Sequence, residues 1–348
     1  MSGHDNVVVD QTADILAQSP RSPGRSRRRR GFGYYMEAYA LVFLLFVVAL
    51  FFSLWPATSD TFPTLANLQI LLGNQAVIGI VALGALIPLI ANEWDLSIGA
   101  IAGVSSIVTA LAMSNGIGIV LSPLVGLAIG ATLGLVNAVI VTKFGVNGVI
   151  TTLGMATLLD GVTNQITGGL AITTDIPDAV VNFGLGNWFG IPSVIFALVF
   201  FVVVVTYVLG YTPFGRYLYA IGSNVGAAKL VGIRVKLVIA SAFVCSGLLA
   251  AAGGVLSVAR QAGADPRIGV GLMLPALAAA FLSAASIKPG RYNVGGVIVA
   301  IFFLAVINNG LALAGVPAYV SSYVNGAALI IGVGLAAYLG RRRTGQTI

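Results

Sequence analysis

Long stretches without any charge follow one another along this chain, and they limit its possible folds more than any other feature. The residues between Arg291 and Arg341 form one such stretch, and the run from Leu41 to Phe52 is apolar on every side. A helix needs about 20 apolar residues to cross a bilayer. Only 8% of the 348 residues are charged, against roughly 25% in ordinary soluble domains. Lipid is therefore predicted to be the solvent for most of the chain.

The apolar runs are typical of helices and not of a membrane barrel. A barrel strand alternates polar and apolar residues over a short segment, whereas these runs are apolar all round, so a helix must satisfy their backbone groups internally. We predict an all-α, polytopic helical membrane protein with about ten transmembrane helices. The predicted spans cover residues 38–55, 70–91, 96–114, 117–142, 145–162, 188–210, 237–259, 268–287, 292–314 and 318–339.

The basic residues support this topology. Most Lys and Arg residues fall in alternate loops and at the two ends, which by the positive-inside rule places both termini in the cytoplasm; Arg260 and Arg267 are exceptions. An eight-span version would also keep both ends inside, and the short, Gly- and Thr-rich segment 145–162 could be re-entrant. Nucleic-acid binding is another interpretation of the basic ends, but topology explains them more simply, so no nucleic-acid partner is expected.

Three regions follow from this pattern. Residues 1–30 are polar and rich in Ser, Pro, Gly and Arg, which predicts a disordered basic cytoplasmic tail. Residues 31–340 form the transmembrane domain, whose longest strongly polar cytoplasmic loop is 211–236. Residues 341–348 form a second basic cytoplasmic tail. Within the loop 211–236, a short amphipathic helix bounded by glycines is predicted, either as a docking surface or as a solvated segment at the headgroups.

Side chains that could support catalysis are scarce. The only histidine is His4, in the predicted tail, which removes Ser-His hydrolysis and paired-histidine zinc sites. No G-x-x-x-x-G-K-[ST] loop is present, so this polypeptide cannot hold ATP in that way. We therefore expect no enzymatic activity, no metal site and no cofactor bound by this chain.

Two polar groups and two glycine ladders interrupt the apolar pattern. Asp95 precedes a predicted helix, either as a cap accepting from its free amides or as a transport residue. Asn308 and Asn309 lie deep in a predicted span, where they must bond a neighbouring helix or line a wet path. Small residues at packing distance allow close helix contact, either static or moving; they are Gly99 and Gly103, then Gly126, Gly130 and Gly134.

These motifs resemble the ribose-type (monosaccharide) family of ABC importer permeases. Its ATPase-contacting segment reads Gly, any residue, Asn, two any, Ala-Ala, then Gly-Ile, and the matching positions here are Gly222, Asn224, Ala227, Ala228, Gly232 and Ile233. The stretch Asp95-Leu96-Ser97-Ile98-Gly99 is similar to the family's Asp-Leu-Ser-Val-Gly, and Asn308-Asn309-Gly310-Leu311 matches its Asn-Asn-Gly-Leu. Order and spacing agree over roughly residues 38–340.

The resemblance implies a multi-pass permease of the bacterial cytoplasmic (inner) membrane. It would form the path for a sugar or similar small polar solute, with Asp95, Ser97, Gly99, Asn308 and Asn309 as candidate translocation or structural residues. It further implies a homodimer in the lipid bilayer, cytoplasmic ATPase subunits that use ATP and dock on the 211–236 loops, and an extracytoplasmic solute-binding protein. The six matched loop residues would couple ATP hydrolysis to transport.

Two alternatives remain open. A secondary transporter driven by an ion gradient would need intramembrane carboxylates, for which Asp95 and Asp160 are the candidates. A permease of the branched-chain amino acid type shares the same overall logic. The chain also departs from the ribose-type pattern between Gly271 and Gly296, where the family commonly has an acidic residue and a Gly-Gly pair, so the solute stays undetermined.

Overall fold

The computed structural model describes residues 32–344, with side chains for residues 35–338. The predicted tail 1–30 lies outside the described residues, as do residues 345–348 of the predicted tail 341–348. The chain divides into two compact units, Met1–Met36 and Glu37–Ile348. Of the first unit, the structure describes only the beginning of helix α1. Everything that follows concerns the second unit.

The described residues are almost entirely helical, which confirms the predicted fold class. The helices are α1 (Phe32–Leu54), α2 (Leu65–Ile90), α3 (Ile98–Ser114), α4 (Leu121–Thr142), α5 (Gly148–Thr167), α6 (Asp178–Leu185), α7 (Ser193–Tyr211), α8 (Pro213–Ser223), α9 (Val225–Leu230), α10 (Val235–Gln261), α11 (Ile268–Leu282), α12 (Val294–Leu313) and α13 (Tyr319–Thr344). A 3-10 turn (Ser283–Ala285) follows α11, and a small antiparallel hairpin, β1 (Asn187–Trp188) and β2 (Ile191–Pro192), precedes α7.

Eight helices in the described part of the chain are long and apolar enough to cross a membrane, namely α1, α2, α4, α7, α10, α11, α12 and α13. The other two predicted spans are helical as well. Helix α3 has 17 residues, and α5 has 20 residues but is not apolar enough to be counted with the eight. Residues 148–162 of the predicted segment 145–162 thus lie in one continuous helix, and residues 145–147 precede it. By hydropathy alone the chain would cross the membrane eight times. It would cross ten times if α3 and α5 also span the bilayer.

Helix α10 lies at the centre of the bundle, against α2, α3 and α4. The predicted glycine ladder on α4 makes this possible, because a Cβ atom built at Gly130 would lie 2.6 Å from the Gly247 carbonyl oxygen, and one at Gly134 would lie 2.5 Å from that of Phe243. Helices α3 and α11 approach in the same way, since a Cβ at Gly269 would lie 2.8 Å from the Gly99 oxygen. Close backbone contact at these glycines therefore contributes to the packing of this core.

The connections group at two ends of the bundle as the topology requires. The connection between α2 and α3 (residues 91–97, hereafter the α2–α3 connection) contacts α8, and α8 contacts the loop 286–293. At the other end, Ile172 pairs with Ala264 through backbone hydrogen bonds, and Gln69 donates to the Gly190 carbonyl. The predicted cytoplasmic loops therefore share one end of the molecule.

Candidate functional site

The predicted amphipathic segment consists of two helices, α8 and α9, joined by a single residue. Proline at the first position of α8 suits a helix start, and the Thr212 hydroxyl accepts from the Gly215 amide. Asn224 has an extended backbone that ends α8, and its side-chain oxygen accepts from the Ala227 amide at 2.9 Å. Asn224 is therefore the N-cap of α9, which explains why an Asn is needed at this position.

Two glycines set the position of this helix pair. A Cβ atom at Gly222 would overlap the Ile90 carbonyl oxygen, and the Asn92 side chain donates to the Gly222 carbonyl at 2.7 Å. Gly232 has a φ of +80°, a conformation that glycine adopts at little cost. Gly222 thus lets α8 touch the end of α2, and Gly232 lets the chain turn from α9 back into α10.

The surface of α9 is apolar and uncovered within the described residues. Leu230 is 90% exposed and Val231 is 76% exposed, and Val225 and Ala227 are exposed beside them. Ala228 faces the other way and is buried. We refer to Val225, Ala227, Leu230 and Val231 as the α9 surface. The predicted motif residues did not include Val225, Leu230 or Val231, although apolar residues in a polar loop are a signal for a contact site.

A chain of ring contacts connects α8 to the body of the molecule. The Tyr219 hydroxyl donates to the Tyr292 carbonyl at 2.9 Å, and the Arg291 guanidinium carbon lies 3.6 Å from the centre of the Tyr219 ring. Burial raises the pKa of Tyr219, against the lowering effect of the Arg291 charge, and burial raises the pKa of Tyr292 to about 12. Both phenols therefore stay neutral at cellular pH. The Phe281 ring contacts those of Tyr292 and Trp94.

Asp95 is at the centre of a buried hydrogen-bond network. One carboxylate oxygen accepts from the Ser97 amide at 3.0 Å and the Ser97 hydroxyl at 2.6 Å, and the other accepts from the Ser246 hydroxyl at 2.8 Å. The Asn137 side chain donates to the Ser97 hydroxyl at 2.8 Å. We call Asp95, Ser97, Asn137 and Ser246 the Asp95 network. All four are almost inaccessible to solvent.

The network fixes the start of α3 and does not cap it conventionally. Asp95 accepts from Ser97, the residue before the helix, and the Ser97 side chain makes no capping bond to α3. The adjacent Leu96 amide donates to the Thr152 hydroxyl of α5 at 3.0 Å. Asn137, Ser246 and Thr152 were missed in the sequence, where their only signal is one polar residue inside an apolar run. The role of Asp95, Ser97 and Gly99 in transport stays a prediction.

The two asparagines of α12 bond to different neighbouring helices. Asn309 and Asn67 of α2 exchange two side-chain hydrogen bonds of 2.9 Å each. Asn308 donates to the Asn325 side chain of α13 at 3.2 Å, while its own carbonyl oxygen is buried without a partner in the described part of the chain. Hydrogen bonds between helices therefore satisfy the side chain of Asn309 fully and that of Asn308 in part. A wet path beside either residue stays a prediction.

Asp160, the other carboxylate considered for ion coupling, takes no part in the Asp95 network. It lies on an exposed face of α5, where it lines a cavity of about 240 Å³ between α3, α5 and α11. The two carboxylates therefore occupy different environments, one enclosed and saturated with donors, the other open to the surroundings.

Comparison with known proteins agrees with these motifs. The family described as branched-chain amino acid transport system, permease component, matches residues 67–333. A ribose import permease of Escherichia coli K12 is 33% identical over 301 residues, which is 86% of this chain and 92% of that protein. A ribose import permease of Bacillus subtilis 168 is 32% identical over 77% of this chain and 83% of its own length.

A further relative transports a different kind of solute according to its name. The autoinducer 2 import system permease of Photorhabdus laumondii is 29% identical over 287 residues, 82% of this chain and 86% of that protein. No solved structure matches the chain. The multi-pass helical fold, the family match and these relatives lead to one conclusion: this chain belongs to the family of ABC-importer permeases that includes the ribose-type permeases, and it is a multi-pass protein of the bacterial inner membrane.

Proposed function

We propose that this chain forms the translocation pathway of an ATP-driven importer for a sugar or a similar small polar solute. The names of its relatives support the solute class. The observation that carries the proposal is the α8–α9 pair, which presents an uncovered apolar surface on one side and is fastened to α2 through Gly222 and Asn92 on the other. Such an element suits the transmission of force from a partner into the bundle.

ATP hydrolysis takes place on separate subunits in this proposal. Each ATPase subunit binds the α9 surface, and its closure on ATP pushes α8 against the end of α2 and the loop 286–293. The push reaches the α2–α3 connection through Asn92 and reaches α11 through Tyr219 and Tyr292. Access then switches from outside to inside. This chain binds no cofactor itself.

The remaining partners belong to the same proposal. The permease is a homodimer in the bilayer, an extracytoplasmic binding protein delivers the solute, and no nucleic acid is involved. The basic ends, Arg27–Arg30 and Arg341–Arg343, serve topology and contact with anionic headgroups.

Reconstitution tests the energy source and the solute class together. Permease, ATPase subunits and binding protein are placed in proteoliposomes and offered radiolabelled ribose, xylose, galactose and myo-inositol. At least one of these should accumulate with ATP present and ion gradients collapsed, and not with a gradient alone. Accumulation that follows an ion gradient without ATP would contradict the proposal and favour a secondary transporter.

Three substitutions test the coupling role of α9. Gly232→Pro is incompatible with a φ of +80°, because proline holds φ near −65°, so uptake should be lost while the protein remains in the membrane. Ala227→Leu alters an exposed position and Ala228→Leu a buried one, and both should block uptake. Ala227→Ser is the matched control and should transport normally. Normal uptake by Gly232→Pro and Ala227→Leu would rule out ATPase docking here.

Branched-chain amino acid transport is the second candidate, because the matching family carries that description. In that case radiolabelled leucine should accumulate in the same proteoliposomes and compete with none of the four polyols. Accumulation of leucine alone would replace the sugar proposal with this one.

A further inference from the structure

Helix α5 presents polar groups that lipid cannot satisfy. Thr157, Asp160 and Asn164 are exposed on this helix, and the Asp160 carboxylate makes no hydrogen bond or ion pair within the described residues. Asp160 lies 12 residues after Gly148, about 18 Å along the helix axis, and therefore away from both ends of α5, which ends at Thr167. A bare carboxylate facing hydrocarbon is expensive, and such residues normally face water or protein. No protein group among the described residues pairs with this carboxylate, which leaves water to solvate this face of α5.

The wet space is the cavity between α3, α5 and α11. Its volume is about 240 Å³, and the lining includes Ala100, Thr157, Asp160, Thr163, Gly269 and Val270. Sites for drug-sized ligands are larger, roughly 300–1,000 Å³, so this one suits a small solute. Most of the wall is apolar, with a few polar groups on one side, which is the usual composition of a binding site for a small molecule.

The hydroxyl and carboxylate groups of this wall can accept hydrogen bonds, but they offer no free donor hydrogen. The Thr157 hydroxyl donates to the Leu153 carbonyl at 3.1 Å, and the Thr163 hydroxyl to the Leu159 and Asp160 carbonyls at 3.0 and 2.9 Å. Their lone pairs remain available, as do those of the Asp160 carboxylate. The complement of such a wall is a solute rich in hydroxyl donors.

The same lining disfavours other solutes. A zwitterionic amino acid carries a carboxylate that Asp160 would repel, and no Lys or Arg lines the cavity to offset it; Arg267 follows Pro266 in sequence but is not among the lining residues. The starts of α3 and α11 meet here through Gly99 and Gly269. A neutral polyol therefore fits better than a zwitterion or an anion.

We propose that this cavity holds the solute during passage, with Asp160 and Thr157 accepting hydrogen bonds from the hydroxyl groups of a neutral polyol. The inference rests on the proposed function and deepens it, because it assigns residues to the solute path. It also separates the two solute classes that the family admits.

The first experiment measures uptake in the reconstituted importer, using whichever of the four polyols the wild type accumulates. With saturating, solute-loaded binding protein, Asp160→Leu should lower the rate of uptake at least about tenfold, the effect expected for losing a hydrogen bond to a charged group. Asp160→Asn keeps one acceptor oxygen and should show a smaller decrease. Asp178→Leu, a carboxylate in α6 outside the cavity, is the control and should leave uptake unchanged. Membrane abundance and co-purification of the ATPase identify any variant that fails to assemble.

The second experiment measures access and occupancy directly. Cys245, the single cysteine, is replaced by alanine, and Thr157→Cys is labelled with a water-soluble maleimide with and without the transported polyol. The polyol should slow labelling several-fold, whereas labelling of Thr174→Cys in the exposed loop after α5 should not change. A Thr157→Cys thiol that resists labelling, or is labelled equally with and without the polyol, would overturn the assignment.

The outcomes separate the two proposals. If the wild type accumulates none of the four polyols with ATP, the proposed function fails. If the wild type accumulates one and Asp160→Leu does so at the same rate with saturating, solute-loaded binding protein, the function stands and the cavity is not the site. A cationic amine transported in place of the polyols would likewise overturn the assignment of a neutral solute.

Discussion

The α9 surface, through α8, and the Asp95 network are both linked to the α2–α3 connection, but the first exposes apolar side chains and the second buries polar ones. On the α9 surface, Leu230 and Val231 leave apolar area uncovered in a polar loop. In the Asp95 network, a carboxylate is buried completely and receives three hydrogen bonds. The first arrangement is costly until a partner covers it, whereas the second is costly only if one of its members is removed.

The two regions are therefore expected to have different roles: the α9 surface binds a partner, and the Asp95 network holds the α2–α3 connection in position. An uncovered surface gains free energy when it binds, so its substitutions should change association. The Asp95 carboxylate finds all of its hydrogen-bond donors inside the protein, so substitutions in its network should change stability and the position of the α2–α3 connection. The four changes below exploit that contrast.

Asp95→Ala should have the largest effect. It removes the acceptor for the Ser97 amide, the Ser97 hydroxyl and the Ser246 hydroxyl, and hydrogen bonds to charged groups contribute about 1.5–3 kcal/mol each. We expect the unfolding temperature of the detergent-purified protein to fall by several degrees and uptake to be lost. Asp95→Asn retains part of the network, so its unfolding temperature should fall less. Equal stability of Asp95→Ala and wild type would contradict the structural role.

Gly222→Val should have the next largest effect, because it places side-chain atoms against the Ile90 carbonyl where the two regions meet. Overpacking of this kind costs typically 1–3 kcal/mol, and here it pushes α8 away from α2. Uptake should fall by more than about tenfold with only a modest loss of stability. Gly210→Val in α7, where a Cβ meets nothing within 4 Å, is the control. Comparable uptake by both variants would show that the α8–α2 contact does not transmit force.

Leu230→Asp should weaken ATPase binding and leave the thermal stability of the isolated permease unchanged. The side chain is 90% exposed, so a charge there costs nothing in the free protein but is buried in the complex. Affinity for the purified ATPase should drop by about tenfold or more, as for an apolar contact at the centre of an interface. Val231→Asp should behave alike. Unchanged ATPase affinity in both would remove the α9 surface from the interface.

Tyr219→Phe should have the smallest effect of the four. It removes one hydrogen bond to the Tyr292 carbonyl and keeps the ring beneath Arg291. A single neutral hydrogen bond contributes about 1 kcal/mol, so the ratio of solute transported to ATP hydrolysed should fall only a few-fold. Tyr219→Ala removes the ring contact as well and should uncouple more. If the Tyr219→Ala and Tyr219→Phe variants transport equally well, the contact between the Tyr219 ring and Arg291 does not take part in coupling.

Much of this protein was predictable because its signals are local. The scarcity of charge predicts a helical membrane protein, since no other structure satisfies isolated backbone groups in lipid without alternating side chains. Asn224 and Gly232 were located through the family motif, and the structure shows that they serve as a helix cap and a positive-φ turn, which depend on residues within one turn. The sequence alone thereby determined the solvent, the helices and the position of the polar loop 211–236.

Only the tertiary structure decided which polar residues meet. Asp95 bonds Ser246, 151 residues away, and Asn67 bonds Asn309, 242 residues away; no local pattern encodes a contact between helices so distant in sequence. Tertiary packing likewise enclosed Asp95 and left Asp160 open, although both carboxylates lie near the ends of predicted spans. The reason is physical: hydropathy determines that a segment enters the membrane, but the side of each helix that faces lipid, protein or water depends on its neighbours.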